Sequence, residues 1–137
     1  MGRILGMDFG TKRVGLAVTD PLQIAAHGLT TVPSADCLDY IMAYASAESL
    51  EKIVIGIPPE PSRAFQRALD RLVNALHERT PDIEIVFEDE DFTSEEARAV
   101  MMRAGVKKKD RAHKPFVDQV SAILILQRHL GHLNPTP

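Results

Sequence analysis

Hydrophobic positions along the chain fall into runs with two different periods. Arg3 to Met7 is a mostly apolar run that ends at Asp8. After a turn over Phe9 to Arg13, where Gly10 offers a positive φ, Val14 to Thr19 forms a second run. The short gap predicts a hairpin. Leu29 to Val32 is a third short strand, stopped by Pro33. Ser34 is then placed to cap a helix over 35–48, whose Leu38, Ile41, Met42 and Ala45 share one helical face. Lys52 to Ile57 is almost continuously apolar, as in a strand covered on both faces. Pro58, Pro59 and Pro61 end it. Ser62 caps a second helix with an apolar stripe of Phe65, Leu69, Leu72, Val73 and Leu76, closed before Pro81. Ile83 to Phe87 is a fifth strand. Thr93 and Glu96 fit a capping box for a helix to Ala104, and Gly105 sits where a helix-ending glycine belongs. The lysine-rich stretch that follows reads as a loop. Pro115 suits the first turn of a last helix to about Leu130, apolar nearly all round and so deeply buried.

This order predicts an α/β fold with a mixed five-stranded sheet: three antiparallel strands, then parallel strands reached through helical crossovers, flanked by helices. Should the fourth strand dock beside the first, the winding direction reverses there. Ligands collect at such a switch point, outside the carboxyl ends of the strands. Asp8 ends the first strand, on that point.

Composition narrows the class. With 137 residues, 45% of them hydrophobic and 26% charged, the chain is expected to be one globular domain spanning 1–137. A single cysteine, Cys37, excludes an internal disulfide and a cysteine-built zinc site. No apolar run reaches membrane length and the first residues do not fit a signal peptide or a myristoylation pattern. The expected compartment is the cytoplasm, with no membrane partner.

The net charge of -3 is unremarkable, but its distribution is not. Eight acids and no base lie between Asp82 and Glu96, while five bases (Lys107, Lys108, Lys109, Arg111 and Lys114) accompany one acid, Asp110, a few residues later. An acidic knot beside a basic run suits a metal site next to a polyanion track; two solvated surface segments would give the same pattern.

Three carboxylates stand out by position: Asp8 at the end of the first strand, Glu90 just past the end of the fifth, and Asp118 in the first turn of the apolar last helix. Each has a plainer reading, as a turn former, a solvated charge and a helix N-terminal acid respectively. Together they are harder to dismiss, because clustered ionised carboxylates repel and are costly to bury unpaired. Mg2+ or Mn2+ relieves that cost and takes oxygen ligands of this kind. Two such ions can hold both oxygens of an in-line phosphoryl displacement.

The motifs resemble the YqgF/RuvX family of ribonuclease H-like nucleases over nearly the whole chain. They are Gly6 to Asp20, Ile53 to Pro58, Asp89 to Ser94, Ala104-Gly105 with the lysine run, and Val117 to Gln127. The resemblance implies a ribonuclease H-like fold and a nuclease of precursor 16S ribosomal RNA, or, in older usage, a Holliday junction resolvase. It maps the catalytic carboxylates onto Asp8, Glu90 and Asp118. Two departures are visible: the family's Asp-Glu-Arg block reads Asp89, Glu90, Asp91 here, and the stretch after Pro58 is short.

The expected activity is then metal-dependent endonuclease cleavage, with Asp8 bridging two ions and Glu90 and Asp118 each completing one shell. Lys12 and Arg13 would hold a neighbouring phosphate. Lys107, Lys108, Lys109, Arg111 and Lys114 would track the nucleic-acid backbone, and His113 is an optional proton carrier. RNA is the preferred partner by resemblance, with structured DNA open; the chain would act as a monomer or a homodimer. Two other classes stay in view. The segment from Asp8 to Lys12 also resembles the phosphate loop of actin-like ATPases, which use two such domains. A non-catalytic nucleic-acid-binding module is the other, for which the Asp91 departure and the net charge of -3 leave room.

Overall fold

The computed structural model describes residues 2–89 and 94–131. Its frame is one five-stranded sheet in the order β3-β2-β1-β4-β5. The strands are β1 (Arg3–Phe9), β2 (Arg13–Thr19), β3 (Ala26–Pro33), β4 (Leu50–Ile57) and β5 (Glu84–Asp89). The β1–β2 and β2–β3 pairs are antiparallel, whereas β1–β4 and β4–β5 are parallel. β4 thus docks beside β1, which meets the condition for a reversal of winding between them.

Alternation along the strands divides the core. Leu5, Met7, Phe9, Val14, Leu16, Ile53 and Ile55 point to one face, where α1 (Cys37–Ala47) and α2 (Arg63–Arg79) cover them. The Phe9 and Phe65 rings meet edge to face at 5.4 Å, fixing the end of β1 against α2. Ile4, Ala17 and Val54 point to the other face, under Ala122, Ile125 and Leu126 of α5 (Lys114–His129). A third apolar cluster joins α5 to α3 (Ser94–Arg103) through Ala97, Met101, Val117 and Val120.

α5 lies unusually close to the sheet because glycines lie beneath it. A Cβ at Gly6 would meet Leu126 Cγ at 2.4 Å, and one at Gly15 would meet the Asp118 carbonyl oxygen at 2.2 Å. Asp118, Ala122 and Leu126 are spaced by four, so they form one helical stripe facing the strands.

Several local expectations change. β3 is longer than the run Leu29–Val32. The helix expected from residue 35 begins as a 3-10 turn (Ser34–Asp36), and Ser34 does not cap it. Its hydroxyl instead donates to the Thr11 carbonyl at 2.6 Å, and its N–H donates to the Lys12 carbonyl at 2.9 Å. Gly10 does not take a positive φ; a side chain is excluded there because a Cβ would meet the Arg13 carbonyl oxygen at 2.7 Å. The basic stretch is not all loop, since one helical turn, α4 (Lys108–Arg111), forms within it. Ser62 caps α2 as expected, accepting from the Phe65 N–H at 3.1 Å. Gly105 has φ +81°, and Pro115 sits in the first turn of α5. The Thr93 capping box lies outside the described residues.

Candidate functional site

The first site residue follows from strand pairing. Asp8 is the next-to-last residue of β1 and points, with Ile4 and Gly6, to the α5 face. It is paired with Gly15 on β2 and with Gly56 on β4. Neither neighbour has a side chain, so Asp8 stands in an open trough at the switch point. Gly15 is also where the Asp118 backbone rests. The contact that lets α5 settle on the sheet therefore carries Asp118 to the strand next to Asp8. Asp118 is in the second turn of α5, not the first, and serves the sheet face rather than the helix N-terminus.

The two carboxylates line one cavity of about 250 Å3, together with Phe9, Gly10, Thr11, Lys12 and Arg13. Lys12 is exposed at the hairpin tip. Arg13 Nε donates to Asp118 Oδ2 as an ion pair, with both side chains partly covered. The cation expected to meet substrate phosphate is thus turned inward against a carboxylate. That pairing offsets the charge of Asp118 next to Asp8, where two anions alone would repel.

Glu90, the third expected carboxylate, lies outside the described residues, as does Asp91. Among the described residues no three His, Cys, Asp or Glu gather as a metal-binding group. The described part of the site is a pair, Asp8 and Asp118. Both are hard oxygen donors, and one already holds a cationic group, which fits the ligand chemistry of Mg2+ or Mn2+.

The expected basic track separates into two kinds of residue. Lys107, Lys108, Lys109 and Lys114 are exposed, as is His113. Arg111 instead braces its own segment. Its Nη1 donates to the Val106 carbonyl at 2.8 Å, while its own carbonyl accepts from Arg98 Nε at 3.3 Å.

Strand register adds a carboxylate that the sequence pattern did not separate from its neighbours. Gly56 pairs with Glu88 on β5, so Thr31, Gly15, Asp8, Gly56 and Glu88 form one row across all five strands. Glu88 Oε2 lies 3.4 Å from His129 Nδ1, and His129 Nε2 lies 3.4 Å from Lys52 Nζ. Lys52 in turn pairs with Glu84 at 3.8 Å. Period-two alternation from Val86, which packs under α5, was the available signal for Glu88.

A sheet of this order with acids at its switch point invites comparison with known proteins. The family model described as "RuvX: Holliday junction resolvase" matches residues 2–132. The chain belongs to the RuvX family. Two curated relatives carry the name "Putative pre-16S rRNA nuclease". The relative from Phocaeicola vulgatus is 46% identical over 133 residues, covering 95% of this chain and 96% of its own. The one from Bacteroides fragilis is 44% identical with the same coverage. Among solved structures, the fowlpox virus resolvase bound to Holliday junction DNA superposes with a TM-score of 0.63 at 7% identity, covering 95% of this chain and 97% of that one. RuvC of T. thermophilus bound to its Holliday junction substrate gives 0.58 at 16% identity, covering 96% and 97%. At such identities these two likenesses concern the fold, which is ribonuclease H-like. No described helix of this RuvX-family chain is long and apolar enough to cross a membrane.

Proposed function

We propose that this chain is a metal-dependent endonuclease that hydrolyses phosphodiester bonds in precursor 16S ribosomal RNA, working in the cytoplasm as a single ribonuclease H-like domain. One observation carries the reading. Asp8 and Asp118, distant in sequence, line a single cavity with Lys12 and Arg13 at the switch point of the sheet. The names of the curated relatives support the RNA substrate.

Asp8, Asp118 and Glu90 would hold Mg2+ or Mn2+. When bound, such ions supply an acidified water and neutralise charge on the phosphoryl oxygens. The remaining work falls to the chain's own groups. The backbone of Asp8 is fixed by pairing on both sides, which sets where its side chain enters the trough. Asp118 is held by the α5 stripe. Arg13 pairs with Asp118 and lines the same cavity as Lys12, where its guanidinium would also serve as a phosphate contact. Lys12, exposed at the hairpin tip, binds the phosphate beside the scissile one. Lys107, Lys108, Lys109 and Lys114 attract the polyanion over a longer range.

Asp8→Asn tests this directly. It should lower Mg2+-dependent cleavage of precursor ribosomal RNA about a hundredfold or more while the melting temperature stays close to the parent's. Undiminished cleavage by that variant removes Asp8 from the mechanism. The family description favours a second reading, resolution of branched DNA. Parallel assays on precursor ribosomal RNA, single-stranded RNA and four-way DNA junctions separate the two.

A further inference from the structure

A second hollow, of about 310 Å3, shares Lys12 and Arg13 with the carboxylate cavity and is completed by Thr31, Val32, Pro33 and Pro115. Its chemistry is two-sided. Two cations form the edge it has in common with the carboxylate cavity, and apolar groups, two of them proline rings, form most of the rest. A nucleoside carrying a phosphate has the matching character. The volume lies at the lower end of the range for small-molecule sites, enough for one such unit.

Thr31 gives the hollow a direction. It is in register with Gly15, which is in register with Asp8, so its side chain stands on the α5 face two strands from that acid. Its hydroxyl donates to the Pro115 carbonyl, tying β3 to the first turn of α5. A hydroxyl has one proton. With that proton committed, the Thr31 oxygen meets a ligand as an acceptor. A ribose 2′-hydroxyl can donate to it; a deoxyribose cannot.

We infer that this hollow seats the ribonucleoside next to the scissile phosphate, with Thr31 Oγ1 accepting from its 2′-hydroxyl and Pro33 and Pro115 packing on its apolar face. The inference rests on the nuclease reading of the adjoining cavity and gives that site a basis for choosing RNA over DNA.

The test is fluorescence-anisotropy titration of the full chain, in EDTA so that nothing is cut, with a labelled single-stranded RNA and a DNA of the same sequence. The parent should bind RNA about fivefold more tightly, the worth of one hydrogen bond. Thr31→Val should erase that preference and leave DNA affinity unchanged, while Thr31→Ser should retain it. Thr31→Leu, which fills the hollow, should weaken both ligands about tenfold, the scale of one or two lost contacts. Equal affinity of the parent for the two ligands overturns the inference, as does a preference unchanged in Thr31→Val. Cleavage assays on the same proteins keep the two proposals apart. A parent that cuts RNA but shows no Thr31-dependent preference sinks the seat alone. A parent that cuts nothing, yet loses its ribose preference in Thr31→Val, sinks the nuclease and leaves the seat.

Discussion

At the scale of single residues, the site depends on what is missing as much as on what is present. Gly15 lies between Asp8 and Asp118, and any side chain there would run into the Asp118 carbonyl at 2.2 Å. Gly15→Ala should therefore destabilise the fold by about 1–3 kcal/mol in urea unfolding, the usual scale of overpacking. It should also reduce cleavage even where the protein is fully folded, because Asp118 is pushed away from Asp8. Cys37 makes a second point at this scale. Burial pushes its thiol up to about 12 from an ordinary 9.0. The native protein should resist thiol reagents at pH 8 and react fully in denaturant. The unfolded chain loses this proton first, so the contribution to stability is whole below pH 9 and disappears as pH rises toward 12. Chemical denaturation midpoints at pH 8 and pH 10.5 check the direction. Asp8 was legible in the sequence as the acid that ends an apolar run, and Asp118 as an acid in an otherwise apolar helix, though one turn earlier than it lies. The Arg13–Asp118 pair was not, since nothing local in a hairpin and a helix far apart in the chain says that they touch.

At the scale of elements, the signals that held were local ones. Ser62 caps α2 by accepting from the Phe65 N–H, an otherwise unpartnered first-turn donor within its own helix, and Ser62→Ala should cost about 1 kcal/mol in thermal or urea unfolding. The cap expected at Ser34 failed for a tertiary reason. Its hydroxyl turns to the hairpin and donates to the Thr11 carbonyl, and it accepts from no N–H of the helix that follows. That bond fastens the turn carrying Lys12 and Arg13 to the 3-10 turn that leads into α1. Ser34→Ala should accordingly change substrate affinity more than stability, with an affinity loss of about fivefold in anisotropy titrations. The strand boundaries and the single turn of α4 were missed because pairing partners and packing, not propensity, set where those elements stop.

At the scale of the whole molecule, a net charge of -3 masks a segregated surface. The exposed lysines at 107, 108, 109 and 114 sit just before α5 or at its start, and the second turn of that helix carries Asp118. Binding of single-stranded RNA should then weaken steeply with salt. Replacing Lys107, Lys108 and Lys109 with Gln should lower the slope of log affinity against log salt by roughly two, at about 0.7 per phosphate contact for single strands. An unchanged slope would place the track elsewhere. The antiparallel meander and the parallel later strands were legible from short turns and helical crossovers; the docking of β4 beside β1, which completes the order β3-β2-β1-β4-β5, was decided by the fold.

The residue pattern alone determined the five strands, the four longer helices, their sequence and the mixed sheet, because periodicity, proline, glycine and capping residues act over a few positions. It also marked Asp8 and Asp118, since acids at the edge of apolar runs are conspicuous without any partner. Tertiary structure decided the rest. It set the five-strand row that aligns Thr31, Asp8 and Glu88, the seating of α5 on Gly6 and Gly15, and the turn of Arg13 onto Asp118. Those depend on register and on close approach between distant segments, which are settled only when the sheet closes over its core.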